Sequence, residues 1–188
     1  MALFENFVNQ FLPYLDGSPR WPSFKLIAEK LIEKNQPVSI VETGCAREQG
    51  NWHGDGQSTV LWEWLAKNCG GSITSFDISK KSVEEAKKIA PGANIVEMDS
   101  IIGLRSISVK DIDLLYLDSM DYHGGIESPT HHLAELASVY FYLKKGCIIA
   151  IDDCNNDNDG KHWLAKMYLS SIGVYPEFEG RVTVWVKP

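Results

Sequence analysis

Several common functions are excluded by what this chain lacks. Its four cysteines (Cys45, Cys69, Cys147, Cys154) show no Cys-x-x-Cys spacing, and two sit in or beside apolar segments, so they read as reduced structural thiols. No basic run exceeds the pairs Lys80-Lys81, Lys87-Lys88 and Lys144-Lys145, and the net charge is −7. Nucleic-acid backbones and anionic membranes both reward Lys and Arg, so neither is the expected partner. No apolar run approaches the roughly 18 residues that span a bilayer. The first residues, Met1 to Asn6, lack a basic region and a small-residue cleavage site, so no secretory signal is expected and the chain reads as cytoplasmic. Internal repeats, low-complexity stretches and linkers are missing too. What remains is 188 residues, 44% hydrophobic and 23% charged, the profile of one globular domain with a sizeable core.

The pattern along the chain predicts two N-terminal helices, then alternation of strands and helices. Residues 2–15 carry an apolar stripe (Phe4, Phe7, Val8, Phe11, Leu12) that Pro13 should stop, and Ser23 to Glu33 carry a second. Strands are expected at about 37–43, 72–77, 93–98, 112–117 and 147–151. The last two are almost wholly apolar, as central strands covered on both faces would be. Between them, Ser82-x-x-Glu85 marks a capping box, Gly70-Gly71 a helix end, and Ser128-Pro129 a cap with proline at the first helical position. In the helix starting near Ser58, Trp64 is expected in the core and Trp62 on another face. The loop residue Trp52 could cover a ligand or pack the loop. A helix near 161–171 should leave His162 at the surface. Two final β segments, about 173–178 and 181–187, meet at Glu179-Gly180. The expected fold is therefore α/β, Rossmann-like and doubly wound: a mostly parallel seven-stranded sheet with helices on both faces and a C-terminal antiparallel hairpin. Residues 1–36 would form a helical cap or lid on a core of residues 37–188.

The most informative stretch runs from Ile40-Val41-Glu42-Thr43-Gly44-Cys45-Ala46-Arg47 to Gly54-Asp55-Gly56-Gln57-Ser58-Thr59. A strand ends in an acid and a glycine, a polar loop follows, and a helix N-terminus faces that loop. This is the layout of a nucleotide-type cofactor site at a strand's carboxyl end. Gly54-x-Gly56 is not followed by Lys-Ser/Thr, as a P-loop requires, and the tight Gly-x-Gly-x-x-Gly of a dinucleotide site is missing. From about residue 37 onward the chain resembles the class I S-adenosylmethionine-dependent methyltransferases. The resemblance rests on Glu42-Thr43-Gly44 after strand one, Phe76-Asp77-Ile78 after strand two, Glu97-Met98-Asp99-Ser100 after strand three, and the terminal hairpin. It implies S-adenosylmethionine as cofactor, contacted by Glu42, Gly44, Gln57, Ser58, Asp77, Ile78, Asp99, Ser100 and Asp118. A sulfonium cofactor has a ribose diol and a zwitterion but no phosphate, so carboxylates and backbone groups suit it better than a Lys or Arg clamp.

A second constellation is acidic. Strand four ends Leu117-Asp118-Ser119 and strand five Ile151-Asp152-Asp153, neighbouring ends in a parallel sheet. Three carboxylates brought together need protons or a cation, and hard oxygen ligands suit Mg²⁺. The chain is similar here to metal-dependent O-methyltransferases of the catechol and macrolide-sugar types, which implies Mg²⁺ on Asp118, Asp152 and Asp153, activating a hydroxyl. Asp157-Asn158-Asp159-Gly160 has a calcium-loop flavour but no Glu at the twelfth loop position. Histidine offers a base of near-neutral pKa, and His131 and His132, opening the helix after strand four, are the candidates beside Asp118, with Glu135 one turn on. The expected activity is methyl transfer to a hydroxyl of a small molecule or sugar, without nucleic-acid or membrane partners; homo-oligomerisation stays open. An NAD-type oxidoreductase on a related sheet and a non-catalytic cofactor-binding accessory protein are the alternatives.

Overall fold

The computed structural model describes residues 2–156 and 159–188. Asp157 and Asn158, half of the stretch noted for its calcium-loop flavour, lie outside the described residues. The chain opens with α1 (Ala2–Leu15) and α2 (Trp21–Glu33). Pro13 does not stop α1, because fully buried Leu15 anchors one further half-turn against the core. The alternating part follows as β1 (Ser39–Thr43), α3 (Ser58–Asn68), β2 (Ser72–Asp77), α4 (Lys80–Ile89), β3 (Asn94–Glu97), α5 (Ser100–Ser106), β4 (Leu114–Leu117), α6 (Glu127–Val139) and β5 (Ile148–Ile151). A short ribbon, β6 (Cys154–Asn156) with β7 (Asp159–Gly160), precedes α7 (Trp163–Ser171) and β8 (Thr183–Val186).

The main sheet has the order β3-β2-β1-β4-β5-β8, parallel except for the antiparallel β5–β8 pair. It is the expected mostly parallel α/β sheet, with six strands rather than seven. The stretch 173–178 forms no strand and touches the edge through a single bridge, Phe178 to Val184. Pro176 lies inside that stretch and has no N–H to give a ladder.

Strand periodicity divides the core into two layers. Leu114 and Tyr116 of β4, with Ile148 and Ala150 of β5, face the cluster that contains Phe7, Phe24 and Trp62. Leu115, Leu117, Ile149 and Ile151 face the opposite cluster with Leu136, Leu169 and Trp185. Successive side chains alternate across a strand, so an all-apolar run can exist only where helices cover both faces. The two tryptophans of α3 are the reverse of expectation. Trp62 is fully buried against Phe24 and Tyr116, while Trp64 is half-buried against Phe7 and Phe11 of α1. At the start of α6 the helix begins at Glu127, so Ser128 lies inside the first turn and its hydroxyl donates to the Met120 carbonyl instead of capping.

Candidate active site

From β1 the chain winds outward to β3, then crosses back to place β4 on the other side of β1. That reversal opens a crevice at the carboxyl ends of β1 and β4, the usual ligand position in open α/β sheets. Gly44 stands at its centre with φ +79°, and a Cβ there would lie 2.3 Å from the Asp118 carbonyl oxygen. Only glycine lets the ends of β1 and β4 approach this closely.

Beneath the loop, the fully buried Glu42 receives the hydroxyls of Ser58 (2.7 Å), Thr59 (2.8 Å) and Ser75 (2.8 Å). Expected as a cofactor contact, it instead lies outside the cleft lining and ties the glycine loop to α3 and β2. Burial pushes its pKa up to about 7. The sign follows from linkage: a carboxyl raised on folding favours the folded state at low pH and destabilises it progressively as pH climbs from about 4.5 through about 7. Glu42→Gln should therefore flatten the stability profile between pH 5 and pH 8, removing a fall of about 3 kcal/mol. Urea unfolding of both proteins at the two pH values reads this directly; parallel profiles would refute it. Gln57 is likewise a loop organiser. Buried and left-handed at φ 52°, it donates to the Glu48 carbonyl (2.8 Å) and Asp55 Oδ1 (2.7 Å). Trp52 packs the loop by stacking on Tyr14 of α1, centroids 4.8 Å apart.

The cleft has two lobes that share Gly44, Asp77, Ile78 and Ser119. The polar lobe, about 270 Å³, adds Cys45, Arg47, Asp55, Ser58, Asp118 and Asp121. Arg47 and Asp121 pair across its rim at 2.8 Å. The other lobe, about 410 Å³, is more apolar and adds Phe76, Asp99, Ser100, Met120 and His131. Asp77 bridges two segments: its Oδ1 accepts from Ser79 N (2.7 Å) and its Oδ2 from Cys45 N (3.2 Å). Asp77 thus holds the turn after β2 while lining the cleft. Asp99 caps α5 by accepting from Ile102 N (3.0 Å). Ile78 and Met120, 76% and 40% exposed, leave apolar surface at the mouth that a flat ring could cover.

The two candidate bases separate. His131 lines the apolar lobe, its Nε2 3.1 Å from Ser100 Oγ and 3.3 Å from Glu135 Oε1, and the hydrogen bond to Glu135 raises its pKa. His132 is fully buried away from the cleft, with Nδ1 2.8 Å from the Ser128 carbonyl, so that nitrogen carries the proton. Burial pushes its pKa down to about 4, and it stays neutral and out of reach of a ligand. Glu135 also takes the Ser119 hydroxyl at 2.6 Å. His162, expected at the surface, is buried.

The acidic triad turned out to be matched by cations that sequence reasoning had passed over. Arg20, from the turn between α1 and α2, sets its Nε on both oxygens of Asp152 (3.0 and 2.8 Å) and Nη2 on Asp153 (2.9 Å). The Tyr116 hydroxyl donates to Asp152 at 2.7 Å, and Arg181 pairs with Asp153. Lys161, fully buried, is bonded to Asp118 and lies 2.9 Å from Asp153. Asp153 adopts the left-handed region (φ 53°), which Asp tolerates, and so can face all three cations. Burial pushes the Asp118 carboxyl up, against the pull of Lys161. Burial alone would lower the lysine, yet Asp118 and Asp153 hold it above its ordinary value. Three carboxylates facing three cations do not fit a Mg²⁺ site, and among the described residues no group of His, Cys, Asp or Glu side chains is arranged to hold a metal ion. The expected metal ligands are corrected accordingly: Asp152 and Asp153 belong to a closed ionic cluster, and Asp118 links that cluster to the cleft.

Comparison with known proteins places the architecture. No family model matches the chain, and no curated protein matches its sequence. Solved structures do. The N-methyltransferase NodS from Bradyrhizobium japonicum superposes with a TM-score of 0.59 at 12% identity, over 93% of this chain and 99% of that one. A Streptococcus mutans protein of methyltransferase type, in complex with SAH, gives 0.60 at 12% identity over 90% and 98%. This chain has the S-adenosylmethionine-dependent methyltransferase fold. CalS11, a TDP-rhamnose 3'-O-methyltransferase of calicheamicin biosynthesis, shares that fold with a TM-score of 0.61 and 17% identity, over 87% of this chain and 76% of its own. Nitrogen and oxygen acceptors both occur among these methyltransferase-fold structures, so the architecture alone does not name the acceptor. No helix of the described residues is long and apolar enough to cross a membrane.

Proposed function

We propose that this protein transfers the methyl group of S-adenosylmethionine to a hydroxyl of a small molecule or sugar. The carrying observation is the two-lobed cleft at the β1/β4 switch point, with Gly44, Asp77, Asp99 and Asp118 at successive strand ends, in a fold shared with an SAH-bound neighbour. The residues present fit the cofactor. Gly44 leaves room for backbone approach, Asp77 is a carboxylate suited to a ribose diol, and Ile78 and Met120 offer apolar cover for an adenine. The cofactor, when bound, supplies a methyl group already activated on a sulfonium, so the protein's part is positioning and electrostatics. Ser119 gives its hydroxyl proton to Glu135 and therefore offers lone pairs to the cleft. The small size of the lobes and the net charge of −7 support a small-molecule acceptor over a nucleic acid.

Calorimetric titration with S-adenosylmethionine, SAH and NAD tests this reading. Micromolar binding of the first two is expected. Asp77→Ala should weaken S-adenosylmethionine about 10- to 100-fold, the scale of hydrogen bonds to a charged group. Binding of NAD alone would overturn the proposal.

A further inference from the structure

The ionic cluster lies at the carboxyl ends of β4 and β5, where a metal would have been held, and its inner cation is Lys161. Its ammonium sits between Asp118 and Asp153, and no part of the residue reaches solvent. Asp153 is further held by Arg20 and Arg181, so Lys161 is fixed from behind by an already crowded carboxylate. Asp118 is different. It lines the polar lobe with its side chain 18% exposed, and Lys161 occupies only its Oδ1. Among the described residues no donor takes its Oδ2.

We propose that Lys161 is a built-in cation standing in for a divalent metal, and that the methyl acceptor is a single hydroxyl hydrogen-bonded to Asp118 rather than a chelated diol. The inference rests on the methyltransferase reading and narrows it to a class of acceptor. A metal binds an acceptor through open coordination positions, and two adjacent oxygens exploit them best. An ammonium buried behind Asp118 offers no such positions. It neutralises the carboxylate, fixes its orientation and leaves one oxygen to receive one O–H. Lys161 is thus a positioning residue acting through Asp118, and Arg20 and Arg181 hold the second carboxylate that keeps it there.

Two measurements on the full chain test this. The first uses Mn²⁺ as probe, by electron paramagnetic resonance and thermal shift. The wild type should show no Asp118-dependent Mn²⁺ site, whereas Lys161→Ala, with three carboxylates and two guanidiniums, should gain one that EDTA removes. A wild-type Mn²⁺ site lost in Asp118→Asn would overturn the proposal, as would a folded Lys161→Ala that binds none. The second measurement holds even if Lys161→Ala fails to fold. It compares SAH with sinefungin, whose amine replaces the transferable methyl group. The wild type should prefer sinefungin by about tenfold or more, the range of a charge-assisted hydrogen bond. Asp118→Asn should bring the ratio of sinefungin to SAH affinity down to about one, and Lys161→Arg should retain the preference. An unchanged preference in Asp118→Asn, with SAH still bound, sinks this inference alone. If neither SAH nor sinefungin binds the wild type, the cofactor reading itself fails, and this inference with it.

Discussion

Replacing Arg20 by alanine should destabilise the protein by about 3–5 kcal/mol, because it strands a buried carboxylate without its charge partner. Asp152 is fully buried and receives Arg20 Nε on both oxygens, with the Tyr116 hydroxyl as a further donor. Arg181 stays 4.0 Å from Asp152 and cannot substitute at hydrogen-bond distance. For a chain of this size the loss corresponds to a fall in Tm of about 6–20 °C. Arg47→Ala is the control: its pair with Asp121 is about as short, but both side chains are roughly half exposed, and such pairs contribute about 0–1 kcal/mol. Urea unfolding of the two variants beside wild type decides the matter. Similar losses in both would mean that burial does not set the value of these ion pairs. The same burial sets the expectation for Asp152→Ala. Asp152 is buried outside the cleft lining, so its removal should lower stability first, with three cations left facing two carboxylates.

Gly44→Ala should have the second large effect. Its Cβ would fall 2.3 Å from a backbone oxygen that no side-chain rotation can move, at a φ of +79° that costs an alanine about 1–2 kcal/mol by itself. Overpacking adds about 1–3 kcal/mol. The relief available is separation of the β1 and β4 ends, which would widen the crevice where cofactor binding is proposed. We expect a loss of about 2–5 kcal/mol in stability together with at least a tenfold loss in S-adenosylmethionine affinity, read from denaturation and calorimetry on the same preparation. Gly17 is the comparison: it too has positive φ (+74°), but an added Cβ meets nothing within 4 Å. Gly17→Ala should cost only the backbone term and leave cofactor affinity alone.

The sheet was legible because strand signals survive without tertiary information. Apolar runs at 112–117 and 147–151 announce strands covered on both faces, and acids and glycines punctuate their ends. The loss of the seventh strand was legible too, in Pro176 inside the stretch 173–178. The ionic cluster was not. Asp118, Asp152 and Asp153 stand out because their strands place them, but their partners come from a turn at Arg20, a ribbon end at Lys161 and the approach to β8 at Arg181. No spacing rule links such positions, so their meeting is a tertiary fact. The acidic end of β5 showed that a counter-charge was needed without showing which. Glu42 and Gln57 illustrate a similar limit. A polar residue at a strand end or a helix start reads as ligand-facing, whereas here both face inward and shape the loop that carries the ligand side.

The charge matching among Arg20, Asp118, Asp152, Asp153, Lys161 and Arg181 also constrains descent. Any first substitution that removes one charge leaves its opposite unmatched in a largely buried cluster, so most single-step exits pass through a poorly folded intermediate. Drift toward a metal-using or an apolar version would need two compensating changes close together in time. In relatives of this chain these six positions should therefore be exchanged in concert, as one inherited character rather than six.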